Sequence, residues 1–206
     1  MKFNAKNSYL CINGKKTELT KEQLKQLGIV ADPIELSADG KIAKIGDYEF
    51  IVLKRNEALG TVELLLKDTL GDSSFGDTND FRTSKIKKDL EDFAKTIEGI
   101  VGEGNLVEHI VDLTADDGLK CYGTTRSKMS LLTANMAREY VEILDEFKIN
   151  KWWWLVTPYS TPKHGDNDYV KCVSPRGRIN IHFSNWSSNA VRPFCILKSS
   201  IFVSKN

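Results

Sequence analysis

The stretch that decides the fold is Trp152-Trp153-Trp154-Leu155-Val156-Thr157-Pro158, which carries three of the four tryptophans of this 206-residue chain. We interpret residues 152–156 as a strand. Successive side chains of a strand point to opposite faces, so Trp152 and Trp154 would share one face and Trp153 would take the other. Because a small domain does not leave three indoles in water, we expect both faces to be covered, or one of them to bind a partner.

The sequence after the tryptophans predicts further strands. Ser174-Pro175-Arg176-Gly177 is typical of a hairpin turn between two of them. The predicted C-terminal strands are residues 169–174, 178–183, 191–197 and 200–204.

Arg192 lies between Val191 and Pro193 in an apolar segment, where an arginine is costly unless it is paired. We expect a structural guanidinium that is held by carbonyl groups or a carboxylate and stacked on one of the three indoles. Contact with a ligand is the alternative role for this residue.

Upstream of the tryptophans the pattern predicts two strands that form an antiparallel hairpin, residues 47–53 and 61–66, and then two helices. Ser84 would cap the first helix and Thr133 the second. The apolar stripes of these helices are Ile86, Leu90, Phe93 and Ile97 in the first, and Met136, Tyr140, Ile143, Leu144 and Phe147 in the second. Residues 106–113 fit a strand or a helix equally well.

The N-terminal residues predict a small strand–helix element over residues 1–40. A strand over 8–13 ends at a turn, and a short helix follows, with Thr20 as its N-cap and Gly28 at its C-terminal cap. Such a short helix is unstable alone, so it must dock on the main body, on a second copy or on a larger assembly. The main domain would span residues 45–206, and its helices lie between two groups of strands, which favours an α+β fold.

Composition excludes some classes of protein. The net charge of +1 gives no electrostatic case for nucleic acid or for an anionic membrane. No run approaches the roughly 20 apolar residues that span a bilayer. Met1-Lys2-Phe3-Asn4-Ala5-Lys6 lacks the apolar core of a signal peptide, so we expect synthesis in the cytoplasm without export by that route, and no membrane insertion.

Two loops are the candidate ligand-contacting surface, since recognition tends to reside in loops on a rigid scaffold. Residues 157–168 and 184–190 combine Tyr, Trp, Ser and Asn, which binding surfaces favour, and an exposed aromatic ring suits the face of a sugar. The alternative is that both are ordinary hairpin loops. The candidate contacts are Tyr159, Ser160, His164, Asp166, Asn167, Asp168, Trp186 and Asn189.

Motifs for catalysis or metal binding are missing. The three histidines have no zinc-ligand spacing, and the chain has no nucleophile elbow, phosphate-binding loop or dinucleotide signature. The acidic, glycine-rich segment 71–80 misses the spacing of a helix–loop–helix calcium site and predicts a plain loop. The four cysteines favour buried free thiols, and a Cys/His pair that meets only in space stays open. We expect no enzyme activity, no cofactor and no metal.

The order Trp-Trp-Leu-x-x-Pro, a strand–Gly–strand hairpin and Val-Arg-Pro-x-x-x-Leu resembles an uncharacterised domain of many phage and prophage proteins from Gram-positive bacteria. Val156-Thr157 and Ala190 depart from the Arg-Ser and Gly that are usual there, and residues 80–90 are similar to the start of a helix in that family. The resemblance covers residues 45–204. The matching residues are Trp153, Trp154, Leu155, Pro158, Gly177, Val191, Arg192 and Pro193.

This resemblance implies a C-type-lectin-like fold, akin to the formylglycine-generating enzymes and to phage tail-tip lectins, with two helices and a twisted antiparallel sheet. Sugar-binding lectins of this group hold calcium with Glu-Pro-Asn or Gln-Pro-Asp and a Trp-Asn-Asp motif, whereas this chain has only Trp186-Ser187-Ser188-Asn189. The enzymes use a pair of cysteines, but Cys172 and Cys195 lie in no matching motif. The resemblance therefore predicts neither calcium-dependent sugar binding nor catalysis for this chain.

The resemblance implies a virion protein, and the leading hypothesis is a non-enzymatic binding module of a phage or prophage particle. It would recognise a glycan or protein on the host cell surface, form a homo-oligomer and attach to other virion subunits through its N-terminal helix. One alternative is a purely structural virion protein, such as a capsid decoration or tail adaptor. The other is an oxidative enzyme that would need Cys172 or Cys195 as a ligand of copper or iron.

Overall fold

A computed structural model describes residues 2–4, 9–12, 15–18, 23 and 34–203. The described residues form an α+β structure, as expected. Its strands are β1 (Lys2–Asn4), β2 (Tyr9–Ile12), β3 (Lys15–Glu18), β4 (Ile34–Leu36), β5 (Ile42–Ile45), β6 (Tyr48–Asn56), β7 (Thr61–Leu66), β8 (Leu106–Val107), β9 (His109–Asp112), β10 (Thr124–Ser127), β11 (Met129–Ser130), β12 (Trp153–Pro158), β13 (Tyr169–Val173), β14 (Ile179–Phe183), β15 (Phe194–Lys198) and β16 (Phe202–Val203), and its helices are α1 (Lys85–Val101), α2 (Ala134–Glu139) and α3 (Val141–Glu146).

The main sheet has the strand order β11-β15-β7-β6-β5-β4-β16, and β8 also pairs with β15. Its pairs are antiparallel except β16–β4, which is parallel. The predicted hairpin of residues 47–53 and 61–66 is confirmed by β6 and β7, in which Phe50 faces Leu66. Both faces of this sheet are covered, because alternate residues of β7 are buried in two different clusters, Leu64 in one and Leu65 in the other.

Helix α1 covers the first of these faces. Its predicted N-cap is confirmed, since the hydroxyl oxygen of Ser84 accepts a hydrogen bond from the Lys87 backbone N–H at 3.1 Å. The predicted apolar stripe is buried in one cluster with Phe50 and Leu64 of the sheet. Gly102, with a φ of 85°, ends the helix in a conformation that side chains with a Cβ rarely adopt.

Helices α2 and α3 cover the second face. Thr133 is the N-cap, because its hydroxyl oxygen accepts a hydrogen bond from the Met136 backbone N–H at 3.1 Å. The predicted single helix is wrong, since the chain leaves helical geometry at Tyr140, with φ −97° and ψ 20°. The Tyr140 hydroxyl donates to Glu63 of β7 at 2.7 Å, which holds the break against the sheet.

The tryptophan stretch lies in a separate three-stranded antiparallel sheet with the order β12-β13-β14. Trp153 pairs with Val173, and Trp154 pairs with Cys172. The predicted alternation is confirmed, because Trp154 is buried in the α1 cluster with Trp152 packed against that cluster, whereas Trp153 is buried in the α2–α3 cluster. The predicted hairpin strands 169–174 and 178–183 correspond to β13 and β14.

The predicted strand over 191–197 begins only at Phe194. Pro193 has no backbone N–H, so it cannot donate to a strand ladder. The preceding segment pairs differently, since Ala190 bridges to Trp153 in parallel fashion and its N–H donates to the Trp152 carbonyl at 2.7 Å. Residues 106–113, which the pattern left undecided, contain strands β8 and β9.

At the N-terminus, β1, β2 and β3 form an antiparallel sheet of their own. The predicted strand over 8–13 contains β2. Gln23 is helical, but Thr20 and Gly28, the predicted caps of that helix, lie outside the described residues. Ile34–Leu36, which the sequence assigned to the N-terminal element, pairs with β5 and β16 in the main sheet.

Candidate binding surface

One half-face of the three-stranded sheet is open. Tyr169 pairs with Phe183, and Val173 pairs with Ile179, so these residues share one face of the hairpin. At the Val173–Ile179 end, a small cavity is lined jointly by these two residues and by α2 and α3, so the helices close over that end. At the other end Phe183 is 47% exposed.

Three aromatic rings form a row on this open half-face. The ring centroids of Tyr159 and Tyr169 are 6.3 Å apart, and those of Tyr169 and Phe183 are 4.3 Å apart. Tyr159 is 41% exposed. We call Tyr159, Tyr169 and Phe183 the aromatic row. Tyr169 and Phe183 stand on a paired hairpin, and the backbone N–H of Tyr159 donates to the Tyr169 carbonyl at 3.0 Å, so the contacting rings present a preformed apolar surface to solvent.

A charged network borders the aromatic row. The ammonium nitrogen of Lys171 lies 5.8 Å from the Tyr159 ring centroid and donates to Asp116 Oδ2 at 3.0 Å. Arg138 donates to the other carboxylate oxygen of Asp116 at 2.9 Å. Partial burial of Asp116 alone would raise the pKa of its carboxyl group, but the hydrogen bonds from Arg138 and Lys171 lower it overall. Asp116 is therefore ionised at neutral pH and fixes both cations.

A depression of about 300 Å³ begins at this network. It lies between the segment 112–120 and the start of α2. Its lining is polar, with Asp112, Asp116, Lys120, Asn135 and Arg138 supplying donors and acceptors. We call it the polar pocket. Since Asp116 lines the pocket and also binds Lys171 beside Tyr159, the pocket and the aromatic row share one border.

The predicted contacts of loop 157–168 have different accessibilities. Ser160 is buried and its hydroxyl donates to Asp117 Oδ2 at 2.6 Å, so it fixes the loop and is not available on the surface. His164 is exposed, with Nδ1 3.1 Å from the same carboxylate oxygen. Asp166 Oδ1 accepts from the backbone N–H of exposed Asp168 at 3.0 Å, and Asn167 is half-buried.

Asn79, which sequence reasoning missed, anchors this loop from below. It is fully buried, and its side-chain amide donates to the carbonyls of Ser160 at 3.1 Å and Tyr169 at 3.0 Å. Its Oδ1 accepts from the Tyr122 hydroxyl at 2.7 Å, and its backbone N–H donates to the Asn167 carbonyl at 2.7 Å. No sequence signal marks Asn79, because it lies in the turn-rich segment 71–80 among other polar residues.

Loop 184–190 places its aromatic ring on the opposite face. Trp186 is 51% exposed, and its ring centroid is 5.6 Å from that of His182, which is in turn 4.5 Å from that of Trp152. His182 and Phe183 are neighbours on β14, so their side chains point to opposite faces. Tyr159 and Trp186, expected on one platform, therefore belong to two surfaces.

Asn189 is fully buried, contrary to the expectation of a surface contact. Its Oδ1 shares a hydrogen bond with His182 Nδ1 at 2.9 Å, so Asn189 supports the Trp186 surface from inside. The two loops meet through their backbones, because the Ser184 N–H donates to the Asp168 carbonyl at 2.6 Å.

Arg192 has the environment expected from the sequence. It is buried, and its guanidinium donates to the carbonyls of Leu66 at 2.8 Å, Lys67 at 2.9 Å and Phe147 at 3.1 Å. Its side chain therefore joins β7, the end of α3 and the tryptophan sheet, and it lies away from the open half-face.

The buried thiols lack the chemistry of reactive cysteines. Burial raises the pKa of Cys172 to about 12 and that of Cys195 to about 12, so both are protonated at neutral pH. Within residues 34–203 and the other described positions, no group of three or more His, Cys, Asp and Glu side chains is arranged to hold a metal ion. None of the described helices is both long and apolar enough to cross a bilayer.

Comparisons with known proteins found no match. No protein-family model matches the chain, and no curated protein or solved structure matches it significantly. The function is therefore argued from the residues and their geometry.

Proposed function

We propose that this chain is a non-enzymatic binding module of a phage or prophage particle that recognises a glycan or protein on the host cell surface. The observation that carries the proposal is the aromatic row, in which the exposed rings of Tyr159 and Phe183 both contact the half-buried ring of Tyr169 on the open half-face of the three-stranded sheet. The resemblance of the C-terminal motifs to a phage domain supports the particle context. The C-type-lectin-like fold is part of the same proposal, and the α+β arrangement of the main domain supports it.

The row is suited to ligands with flat apolar faces. A tyrosine or phenylalanine ring offers a large contact area at a low cost in conformational entropy, because only two side-chain torsions are fixed. The C–H-rich face of a pyranose ring packs against such a surface, while its hydroxyl groups need polar partners. The polar pocket supplies those partners beside Tyr159. A preformed surface also lowers the cost of binding, since little is ordered on association.

In this proposal the N-terminal element attaches the chain to its neighbours. The sheet of β1, β2 and β3 contains strands of only three or four residues, and a small isolated sheet of this kind has marginal stability. In the proposal this element packs against other virion subunits or against further copies of the chain. The open half-face would then remain available for the host.

A binding assay with cell walls tests the proposal. The double variant Tyr159→Ala/Phe183→Ala and the wild type are incubated with purified walls of the bacterium that carries the gene, and the bound fraction is measured by co-sedimentation. We expect the double variant to bind at least roughly 30-fold more weakly, as for central contacts of an interface. Both rings are about half exposed, so circular dichroism should show an intact fold.

Trp186→Ala is the matched control on the opposite face. It removes an aromatic ring of similar exposure. Loss of binding in Trp186→Ala alone would move the site to the Trp152–His182–Trp186 surface. Undiminished binding in both variants, Tyr159→Ala/Phe183→Ala and Trp186→Ala, would contradict recognition through either surface. Mass spectrometry of purified particles tests the virion context, and a chain that is incorporated but never binds walls would favour the purely structural alternative.

A further inference from the structure

The polar pocket carries charged groups that the proposed function does not use. Asp112 and Asp116 are its two lining carboxylates, and Lys120 and Arg138 are its two lining cations. Lys171, which is buried outside the lining, also binds Asp116. The lining thus holds equal numbers of the two charges, and Asp116 is shared by Arg138 and Lys171.

The carboxylates are already occupied. Asp116 accepts from both Arg138 and Lys171. Asp112 Oδ1 accepts from the backbone N–H of Thr114 at 2.9 Å and from its hydroxyl at 2.6 Å. The side chain of Lys120 has no hydrogen bond or ion pair to any described residue, and it is exposed at the pocket wall. The ammonium group of Lys120 is therefore a cation of the pocket that has no carboxylate partner among the described residues, and it is accessible.

Arg138 is arranged to bind an anion as well. Its NH1 donates to Asn135 Oδ1 at 2.8 Å and its NH2 to Asp116 at 2.9 Å, so two partners fix the plane of the guanidinium. A guanidinium has five N–H donors in a rigid fork, and the donors that these bonds leave free are held in a fixed direction. A fixed guanidinium beside an unpaired ammonium is the donor set that carboxylates and phosphates bind.

The position of the pocket connects it to the aromatic row. Lys171 contacts both Asp116 of the pocket and the Tyr159 ring of the row. A polymer lying on the row would therefore place a neighbouring unit at the pocket mouth. A volume of about 300 Å³ is at the small end of ligand pockets, which suits one charged unit and no longer segment.

We infer that this surface selects anionic glycans: sugar units stack on the aromatic row, and a carboxylate or phosphate group of the polymer binds Lys120 and Arg138. The inference rests on the proposed function, since it names the ligand class of the same site. Carboxylates and phosphates share the chemistry that the pocket recognises, so the experiment has to separate these two sources.

The test uses the full chain and host cell walls from which an amidase has stripped the stem peptides, so that the remaining anions belong to glycans. One portion is extracted with hydrogen fluoride, which removes phosphate-linked polymers. A second portion is amidated with carbodiimide, which neutralises carboxylates. We expect binding to fall after one of these treatments, and the effective treatment identifies the anion. Equal binding to treated and untreated walls would overturn the inference and leave the proposed function standing.

Lys120→Gln is the decisive variant, because Lys120 has no described partner whose loss would disturb the fold. We expect it to bind untreated walls roughly three- to fivefold more weakly at low salt, as for one exposed charge pair, and to match the wild type on the wall that lacks the anion. Lys88→Gln on α1, an exposed lysine that lines a different depression, makes the same change in net charge and should leave binding unchanged.

Three outcomes separate the two proposals. Equal weakening by Lys88→Gln and Lys120→Gln would indicate nonspecific charge attraction and overturn the inference. Full binding by Lys120→Gln would overturn it as well. If the wild type binds no wall preparation at all, the proposed function itself fails.

Discussion

The guanidinium carbon of Arg192 lies 5.4 Å from the ring centroid of Trp153, inside the core between the main sheet and the tryptophan sheet. Burial is the main cause that lowers the pKa of Arg192 to about 10, which still leaves it charged at neutral pH. A buried charge is tolerated here because three backbone carbonyls and an indole face replace its water. This contact ties the two sheets together and orients the strands that carry the binding surface.

Arg192→Lys should destabilise the protein by about 2–4 kcal/mol, because an ammonium group cannot reproduce the planar fork that reaches three separate carbonyls. Urea unfolding followed by tryptophan fluorescence measures the change. Arg178→Lys, at an exposed position before β14, should change the free energy of unfolding by less than about 0.5 kcal/mol. An Arg192→Lys variant as stable as the wild type would show that these bonds contribute little.

Trp154→Phe should cost about 2–3 kcal/mol of stability. Trp154 is fully buried, and its indole N–H donates to the Ser73 carbonyl at 2.8 Å, so phenylalanine leaves both a void and an unpaired carbonyl. Trp186→Phe makes the same chemical change at a half-exposed position and should cost less than about 0.5 kcal/mol. Thermal unfolding of the two variants provides the comparison, and equal losses would contradict the burial of Trp154.

Stability should decrease as the pH falls through 6.5. Burial lowers the pKa of His109 below its usual value of 6.5, and the ring lies against Phe194 with centroids 5.3 Å apart. The unfolded chain then binds a proton first, so His109 favours the folded state above pH 6.5 and progressively less below it. The free energy of unfolding should change by up to about 1.4 kcal/mol per pH unit from this group.

His109→Gln should remove that part of the pH dependence between pH 7.5 and 5.5. His164→Gln, which changes an exposed histidine, should retain it. Urea titrations at several pH values give the slopes. A wild-type slope that His109→Gln does not alter would assign the effect to another group.

Native-state thiol labelling should distinguish Cys121 from the two buried cysteines. Cys121 is exposed, whereas Cys172 and Cys195 are buried with raised pKa values. Cys121→Ser should therefore remove one equivalent of rapid reaction with an aromatic disulfide reagent, while serine variants at the buried sites should change the count only after unfolding in denaturant. Rapid native labelling of Cys172 or Cys195 would show that the core opens readily.

Part of the candidate site could be predicted from the sequence of the hairpin turn. The turn Ser174–Gly177 sets the register of β13 and β14, and that register brings Tyr169 opposite Phe183. The turn and both strands were predictable from the sequence, but the candidate contacts were placed in the loops, which include Tyr159 and exclude Tyr169 and Phe183. The polar loop residues indicate the binding site poorly, because some of their side chains form hydrogen bonds that fix the loop backbone.

The sequence by itself determined the alternation of the tryptophans, the two helix caps and the need of Arg192 for polar partners, which it left open between carbonyl groups and a carboxylate. These follow from local periodicity, from capping chemistry and from the cost of burying a charge, none of which depends on distant residues. Only the tertiary structure decided that Tyr159 and Trp186 lie on opposite faces, that Asn189 is buried, and that Asp116 joins the polar pocket to the aromatic row. The physical reason is that these features depend on contacts between distant segments, such as Asp116 with Lys171, and no short-range pattern encodes such pairings.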